Sequence, residues 1–498
     1  MQMHPVLPLA RELALLDAAQ TRALEQLASA SLPPHALMRR AGESVARLAL
    51  ALAPHAQRVW IAAGPGNNGG DGLEAAIHLR AWGKTVEVSL LGDAARLPAD
   101  AADALARAQA AGVSIGAAPS PTDPPGLAID ALLGVGASRA PTGALAACIR
   151  ALNARHCPVL AVDLPSGLHA ATGQSLGDDC VNASHTLALL ALKPGLFTGS
   201  GRDHAGRVWL DALGVENQIG QPAAWLSGPT DASPRRHAQH KGSFGDVAIV
   251  GGAPGMSGAA LLAARAAHAA GAGRVHVAPL DGSRSMARLD PIRPELMFRD
   301  DWLRSRAEVL ARTTVVCGCG GGDAVRAPLP RVISLAHRLV LDADALNAIA
   351  ADTLLAELLR ARSASDRGTV LTPHPLEAAR LLGCTTTEVQ ADRLRAVQQL
   401  ADRFHCVIVL KGSGSVIAAP GSVARINSTG NAALASAGTG DVLAGWLGGR
   451  WAQLASGNEL AAAFGVARQA VAEHGAAAEP RPAGALRAGD LIERLYAG

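Results

Sequence analysis

The sequence predicts two α/β domains, each built on a parallel sheet with helices on both faces. Short apolar runs that fit strands alternate with segments of helical spacing, and this alternation is typical of parallel strand pairing. The alternation stops in a polar, turn-rich stretch at residues 218–240 and then starts again. The chain has 498 residues, of which 49% are hydrophobic, so it is long enough for two cores. We therefore expect domains at 1–220 and 235–498 with a linker between them.

In the first half, the spacing of leucines predicts two helices, Leu7–Leu27 and Leu37–Leu52, which Pro33 and Pro34 separate. A third helix is predicted over Leu73–Trp82. The predicted strands are Val59–Ala63, Thr85–Leu91, Leu127–Leu133 and Val159–Val162.

In the second half, an Ala-rich helix is predicted over Gly258–Ala270 and a further helix over Val442–Leu447. The predicted strands are Asp246–Val250, Arg274–Ala278, Thr314–Val316, Arg338–Leu341, Thr369–Leu371 and Cys406–Leu410.

Composition excludes several classes of protein. The net charge is only +3 and no basic tract occurs, which argues against nucleic-acid binding. No uncharged apolar run reaches the roughly 18–20 residues of a bilayer span, and the N-terminus lacks a leader pattern. The seven cysteines lack zinc-site spacing, so we expect packing or loop roles, reduced thiols and a cytoplasmic protein. Only four basic residues are lysines, namely Lys84, Lys193, Lys241 and Lys411.

A glycine-rich segment, Gly64–Gly72, lies between a predicted strand and a predicted helix. Glycines permit close approach of a ligand to the backbone, and the helix start behind them suits a phosphate group. The Asn67–Asp71 core adds amide and carboxylate groups, and its spacing is not that of the usual dinucleotide fingerprint. We therefore predict a nine-residue binding loop.

Two further loops, Asp130–Gly136 and Asp163–Gly167, end predicted strands. Ligands of open parallel sheets bind at the carboxyl ends of the strands, where all three loops would meet. The alternative is that each Asp only caps a helix or forms a turn.

With these motifs, residues Leu9–Gly214 resemble the NAD(P)H-hydrate epimerase family, the YjeF N-terminal domain. The resemblance also rests on Leu37–Gly42 and Leu192–Gly195. It implies a Rossmann-like three-layer fold that interconverts the R and S epimers of hydrated NADH or NADPH. It implies that the dinucleotide is held by Asn67, Asn68, Gly69, Gly70, Asp71, Gly134, Val135, Gly136, Ala137, Ser138, Arg139, Ala140 and Asp163.

The resemblance further implies a potassium ion on Asn68, Asp130 and Ser166, and Asp163 is the candidate for proton transfer at the hydrated carbon. The family pattern has an apolar residue where this chain has Glu74. We expect Glu74 to face solvent, so this departure puts little in doubt.

In the second half, Gly438–Asp441 opens a helix, where backbone amides can form an anion hole and Asp441 can act as a base. The alternative is a capped helix with an exposed Asp. The Lys411–Ser415 segment is a plausible phosphate cradle but not a P-loop. The rigid prolines around His374 favour a positioned ring. The acids of Asp342–Asn347 could serve Mg²⁺ or substrate, or only cap the next helix.

Residues His240–Leu495 resemble the ADP/ATP-dependent NAD(P)H-hydrate dehydratase family, the YjeF C-terminal domain, within the ribokinase-like fold. The resemblance rests on these motifs together with His240–Gly245 and Gly258–Ala260. It implies that Mg²⁺ with ADP or ATP is used to dehydrate the S epimer. By resemblance, the nucleotide contacts are Lys411, Gly412, Ser413, Gly414, Ser415 and Gly440, and the hydrate contacts are Ala259, Gly320, Gly322, His374 and Asp441.

The segment Gly318–Gly322 departs from the family pattern Gly-Pro-Gly-Leu-Gly, and we expect the added glycine to make this loop more flexible. The leading hypothesis is a bifunctional repair enzyme, a homo-oligomer that acts on small molecules without nucleic-acid or membrane partners. The alternative is a ribokinase-type small-molecule kinase with a non-catalytic nucleotide-binding N-terminal domain.

Overall fold

The computed structural model describes residues 3–121, 123–216, 220–228, 239–282, 289–479 and 484–497. The chain forms two compact units, Met1–Leu226 and Ser227–Gly498. Each unit contains a parallel sheet with packed helices, so the predicted α/β class is confirmed. Much of the predicted linker at 218–240 lies outside the described residues, but Ala224–Ser227 within it is a strand.

The first unit contains short edge strands and six helices among its described residues. Its strands are β1 (His4–Pro5), β2 (Leu13–Leu15), β3 (Arg58–Ala63), β4 (Thr85–Leu90), β5 (Ser114–Gly116), β6 (Leu127–Ala131), β7 (Val159–Val162), β8 (His185–Leu189), β9 (Arg207–Asp211) and β10 (Ala224–Ser227). Its helices are α1 (Ala18–Ser31), α2 (Ala36–Leu52), α3 (Asn67–Ala81), α4 (Ala99–Ala110), α5 (Gly143–Asn153) and α6 (Gly201–His204).

Eight of these strands form one sheet in the order β1-β9-β8-β7-β6-β3-β4-β5. All neighbours are parallel except β1 and β9. Alternate residues of β3 enter different cores, since Ile61 packs with α2 and α3 while Trp60 packs with α5. The chain leaves β3 toward β4 and β5 and returns to β6 on the other side of β3. This reversal creates a crevice at the carboxyl ends of β3 and β6.

The predicted helix Leu7–Leu27 is wrong in its first half. Leu13–Leu15 is strand β2, which pairs antiparallel with β10 through partners such as Leu15 and Ala224. Helix α1 begins only at Ala18, where Asp17 and Gln20 form a capping box.

The second unit alternates strands and helices for most of its length. Its strands are β11 (Asp246–Gly251), β12 (Arg274–Pro279), β13 (Met297–Phe298), β14 (Thr313–Cys317), β15 (Arg338–Leu341), β16 (Gly368–Leu371), β17 (Val407–Leu410), β18 (Val416–Ala418) and β19 (Arg425–Asn427). Its helices are α7 (Ser257–Ala269), α8 (Ala307–Ala311), α9 (Leu329–Leu335), α10 (Asp344–Ala351), α11 (Thr353–Ala361), α12 (Pro375–Leu382), α13 (Thr386–Ala391), α14 (Arg393–Phe404), α15 (Thr439–Ala452), α16 (Glu459–Ala476) and α17 (Ala488–Ala497).

The strands of this unit lie in the order β13-β12-β11-β14-β15-β16-β17-β18-β19. Pairing is parallel from β13 to β17 and antiparallel from β17 to β19. Helix α15 is apolar on most sides and lies in the core against α7. A Cβ on Gly445 would meet the Ala263 carbonyl oxygen at 2.0 Å, so glycine is what allows the two helices to approach this closely. This packing fixes the start of α15 in the unit.

Candidate functional site

Helix α3 begins inside the glycine-rich segment rather than after it. Its first residue is Asn67, so the predicted nine-residue loop Gly64–Gly72 is wrong and only its first three residues precede the helix. A Cβ on Gly69 would meet the Gly64 carbonyl oxygen at 2.0 Å, which shows why the helix can start so close to β3. Among the described residues no side chain caps α3 at Gly66, and its first amides are therefore available to an anion.

A cavity of about 450 Å³ opens at the crevice of the first unit. Several of the predicted dinucleotide-binding residues line it. Gly69 and Gly70 are buried and do not line it, and Ser138, Arg139 and Ala140 also lie outside its lining. The predicted residues that line the cavity are Asn67, Asn68, Asp71, Gly134, Val135, Gly136, Ala137 and Asp163. Sequence reasoning missed Thr21, Arg22, Glu25 and Asp100, which also line it.

Asp163 follows β7 and is held in a fixed orientation. Its φ of 66° is left-handed, a conformation that non-glycine residues rarely adopt and that is often found at functional sites. Its Oδ1 accepts hydrogen bonds from the Leu189 amide, at 3.1 Å, and from the Lys193 ammonium. Lys193 is fully buried and also donates to the Leu189 carbonyl at 3.0 Å. A carboxylate and an ammonium thus meet at the wall of the cavity.

Three further carboxyl groups line the same cavity, and two of them, Glu25 and Asp71, have raised pKa values. Burial and the nearby Asp163 carboxylate raise the pKa of Asp71 well above its ordinary value. The same two causes raise the pKa of Glu25, although a hydrogen bond from Asn67 opposes them. The cavity therefore offers acids that keep a proton more readily than free carboxyl groups do.

Asp130, Ser166 and Asn68 converge around the turn after β6. The Asp130 carboxylate is fully buried and accepts from the Ser166 hydroxyl at 2.6 Å and from the Ser166 amide at 2.8 Å. The Asn68 amide donates to the Leu133 carbonyl at 3.1 Å, and the Ser166 hydroxyl accepts from the Leu133 amide at 2.8 Å. Burial raises the pKa of Asp130 to about 6 despite these bonds. The arrangement gathers carboxylate, hydroxyl, amide and carbonyl oxygens, which is the donor set of a hard cation.

Glu74 does not face solvent as expected. It is 3% exposed and forms an ion pair of 2.5 Å with Arg107. Burial alone would raise the pKa of Glu74, but its interactions with His78 and Arg107 outweigh burial and lower it. Glu74 therefore holds α3 against α4, away from the cavity lining.

In the second unit, helix α15 begins after a tight glycine turn. Gly438 precedes it with a φ of 88°, and among the described residues no side chain caps the helix. The Thr439 hydroxyl instead donates back to the carbonyls of Leu434, at 2.8 Å, and Ser436, at 2.9 Å. The Thr439 amide donates to the Ser436 carbonyl at 3.5 Å, so the next amides, those of Gly440 and Asp441, are the ones available to an anion.

Lys411 reaches this helix start from the end of β17. A Cβ on Gly440 would lie 3.3 Å from the Lys411 ammonium, which also forms an ion pair of 2.6 Å with Asp342. Asp342 accepts from the Thr372 hydroxyl at 2.8 Å as well. From below the loop, buried Arg393 donates to the carbonyls of Leu410 and Lys411 at 3.1 and 3.3 Å. Gly412 packs against this guanidinium, whereas Ser413, Gly414 and Ser415 continue the same loop.

Asp441 lies in the first turn of α15, close to two other possible ligands of a metal. Oxygen atoms of Asp342 and Asp441 and the sulfur of Cys319 all lie within 4.8 Å of one another. Burial, with the Asp342 carboxylate, raises the pKa of Asp441 to about 6, although a hydrogen bond with Cys319 opposes the shift. Burial and the same carboxylates raise the pKa of the Cys319 thiol well above its ordinary value. Asp441 is thus suited to gain and lose a proton near neutral pH.

His374 is a positioned ring, as the flanking prolines predict. Its Nδ1 accepts from the Leu376 amide at 3.1 Å and its Nε2 lies 3.2 Å from Glu377 Oε1, so Nε2 carries the proton. Burial and Lys411 lower the pKa of His374. Burial raises the pKa of Glu377 to about 7 although Lys411 opposes it.

The loop Gly318–Gly322, whose sequence departs from the family pattern, is hydrogen-bonded to neighbouring segments. The amides of Gly252 and Ala253 donate to the carbonyls of Cys319 and Gly320 at 3.0 and 2.7 Å, respectively. The Gly322 amide donates to Asp344 at 2.8 Å, so that carboxylate holds the loop and does not cap α10. The loop passes beside Ala259, whose Cβ would lie 2.8 Å from a Cβ on Gly320.

None of the helices in the described part of the chain is long and apolar enough to cross a membrane.

Comparisons with known proteins match both units. Residues 34–195 match the family described as YjeF-related protein N-terminus, and residues 247–495 match the family described as NAD(P)H-hydrate dehydratase. The bifunctional NAD(P)H-hydrate repair enzyme Nnr of Escherichia coli is 38% identical over 464 residues, which cover 89% of this chain and 84% of the relative. The enzyme of the same name from Moorella thermoacetica is 36% identical and covers 97% of this chain and 96% of the relative.

Among solved structures, the ADP/ATP-dependent NAD(P)H-hydrate dehydratase of Bacillus subtilis, co-crystallised with ATP and Mg²⁺, is 29% identical with a TM-score of 0.41. The match covers 53% of this chain and 91% of the Bacillus subtilis chain.

Proposed function

This chain belongs to the family of bifunctional NAD(P)H-hydrate repair enzymes, and we propose that its two described sites divide the repair between them. The Rossmann-like first unit is the epimerase, and the ribokinase-like second unit is the dehydratase. The proposal assigns the R and S interconversion to the cavity beside Asp163. It assigns the nucleotide-dependent loss of water to the start of α15.

In the epimerase site, the free amides at the start of α3 and the turn Gly134–Ala137 hold the dinucleotide. Their backbone groups line the cavity on both sides of the crevice. Asp163, held by Lys193, transfers the proton at the hydrated carbon. Ser138, Arg139 and Ala140 follow the lining turn and are assigned to the outer part of the same ligand.

The oxygen donors of Asn68, Asp130 and Ser166 fit potassium. Asp130 and Ser166 are fully buried, and the Leu133 carbonyl lies beside them. A potassium ion would supply positive charge close to the pyrophosphate side of the cavity. The residues themselves order the turn after β6, which carries the ligand-binding glycines.

In the dehydratase site, one observation supports the assignment most strongly. Asp441 lies at a helix start with free amides, and the Lys411 ammonium lies over the same turn. The amides and Lys411 would hold a transferring phosphoryl group, while Asp441 takes the proton from the ring hydroxyl that receives it. Departure of the phosphorylated oxygen, with loss of a ring proton, then restores the double bond.

Mg²⁺ would accompany the nucleotide and neutralise its phosphates. Asp342 is already paired with Lys411 and Thr372, so the phosphates of ADP or ATP would supply most ligands of that ion. His374, Ala259, Gly320 and Gly322 are assigned to the hydrate, because Lys411 lies near His374 and Ala259 packs beside Gly320.

The test uses the intact protein with both NADPH-hydrate epimers, Mg²⁺ and either ADP or ATP. We expect complete recovery of NADPH when potassium is present. Replacing potassium by a large organic cation should slow use of the R epimer and leave the S epimer unaffected. Recovery of about half of the NADPH would indicate an inactive epimerase. No recovery, with a stable phosphorylated product, would instead favour a ribokinase-type kinase.

We also propose a cytoplasmic location and a homo-oligomeric assembly. All seven cysteines are free thiols, which fits the reducing cytoplasm. The domain boundaries 1–220 and 235–498 and the homo-oligomeric state remain predictions.

A further inference from the structure

Helix α1 sends one carboxyl group, Glu25, into the cavity of the first unit. The helix is anchored on both sides of this residue. Asp17 and Gln20 form its capping box, and Leu24 is 1% exposed in a cluster with Leu16 and Ala191. The Asn67 amide binds the Glu25 carboxyl group. Glu25 therefore has a fixed place in the cavity.

Glu25 and Asp163 reach the cavity from different elements and have different partners. Asp163 follows β7 and is paired with the buried ammonium of Lys193. Glu25 comes from α1, and the charged groups that line the cavity with it are Arg22, Asp71, Asp100, Asp163 and Lys193. Burial, followed by Asp163 and Asp100, raises the pKa of Glu25. The two carboxyl groups therefore reach the cavity from separate elements, one beside a buried ammonium and one on a helix.

We propose that Glu25 is a catalytic residue of the epimerase, which exchanges protons with the hydrated ring on the face opposite Asp163. This inference rests on the proposed function of the cavity. Inverting a carbon that bears a hydroxyl group requires chemistry on both faces of the ring, and a single carboxylate can serve only one of them.

The step balances without any further reactant. Glu25 donates its proton to the hydroxyl group on one face, the carbon–oxygen bond breaks, and the lone pair of the ring nitrogen forms a carbon–nitrogen double bond. The released molecule is water. A water molecule then adds to the opposite face while Asp163 takes its proton, and the electrons of the double bond return to the nitrogen. The reverse direction exchanges the roles of the two acids, and proton exchange with water restores both.

The test measures conversion of the pure R epimer by Glu25→Gln. Glutamine keeps the size and the polar contact with Asn67 but cannot donate the acidic proton. We expect kcat for epimerisation to fall by about 100-fold or more, with KM little changed. The limb of the pH profile that reports the acid should disappear. Glu25→Asp should restore part of the rate, and the wild-type protein should incorporate labelled oxygen from water during epimerisation.

Glu43→Gln is the matched control, because Glu43 lies on α2, pairs with Arg47 and does not line the cavity. It should keep the wild-type rate. A wild-type rate in Glu25→Gln, an unchanged pH profile, or retention of the original oxygen would overturn the inference. If the wild-type protein itself does not use the R epimer, the proposed function of the cavity fails instead, so the two failures are distinguishable.

Discussion

The charge of Asp441 leads to a prediction in which activity and stability change in opposite directions. Burial and the Asp342 carboxylate raise the pKa of Asp441 from 3.8 to about 6. One pKa unit corresponds to about 1.4 kcal/mol. The ionised carboxylate therefore lowers the free energy of unfolding by about 3 kcal/mol at neutral pH.

The sign follows from which state holds the proton more tightly. The folded state has the higher pKa, so stability is lost as the pH rises from about 4 to about 6. Asp441→Asn removes this charge and keeps the shape of the side chain. We expect it to stabilise the second unit by up to about 3 kcal/mol at pH 7, or roughly 6 °C in Tm. At about pH 4 the gain should vanish.

The same variant should lose the dehydratase activity. Removing a general base lowers the rate by about 100-fold to 10,000-fold, whereas epimerisation of the R hydrate should continue. Thermal unfolding at several pH values and initial rates with each epimer would measure both effects. Asp402→Asn is the control, because Asp402 is exposed on α14 and should change neither quantity. Equal loss of both activities would refute the two-site division, and an unchanged Tm at neutral pH would refute the reasoning about charge.

Three further substitutions test other parts of the two sites. Asp163→Asn should lower use of the R epimer by about 100-fold and leave dehydration of the S epimer intact, measured with separated epimers; normal use of the R epimer would contradict its role in proton transfer. Lys411→Met leaves a buried carboxylate without its cation, so it should cost about 3 kcal/mol of stability and most of the nucleotide affinity; calorimetric binding equal to that of wild type would contradict the assignment. Gly69→Ala places a Cβ 2.0 Å from the Gly64 carbonyl oxygen and should destabilise the first unit by about 1–3 kcal/mol, while Gly66→Ala has open space and serves as its control in the same unfolding measurement.

The parallel strands could be predicted from sequence because they are buried on both faces. Runs such as Val407–Leu410 are continuously apolar and end at glycine, proline or charged residues, and the structure places strands there. The error at Leu7–Leu27 has the opposite cause. Leu13–Leu15 becomes a strand because it pairs with a segment some 200 residues away, and no local pattern reveals that partner.

The residue at which α3 begins also could not be predicted from the sequence. Its first turns contain several glycines, which are poor helix formers, so propensity favours a loop over a helix. In the structure Gly69 packs against the Gly64 carbonyl and Gly72 packs against Ala131. Close packing beside β3 and β6 therefore stabilises the helix although glycine has a low intrinsic helix propensity. The same packing explains why the glycines do not all contact the cavity.

The site residues at strand ends could be predicted because topology brings those ends together. Asp130 lies near the carboxyl end of β6 and Asp163 directly follows the neighbouring parallel strand β7, so both lie at the crevice. Glu25 could not be found in this way. It lies on a helix with many polar neighbours, where a glutamate usually faces solvent, and only the packing of Leu24 turns it toward the cavity. Glu74 is expected from the sequence to face solvent, but it is buried beside Arg107 and has a structural role.

The distribution of lysine and arginine fits this division of roles. The chain has four lysines among 45 basic residues, and two of them pair with aspartates at the two sites. Lys193 is fully buried between Asp163 and the Leu189 carbonyl, where a compact ammonium fits and a wide guanidinium would need more space. Lys84, by contrast, is half-buried and donates to the Pro54 carbonyl in a turn, among the interactions described, which an arginine could also do. The steric demand of a buried ion pair therefore accounts for lysine at Lys193 and Lys411, and the pair with Lys193 also fixes Asp163, the carboxylate proposed to transfer a proton.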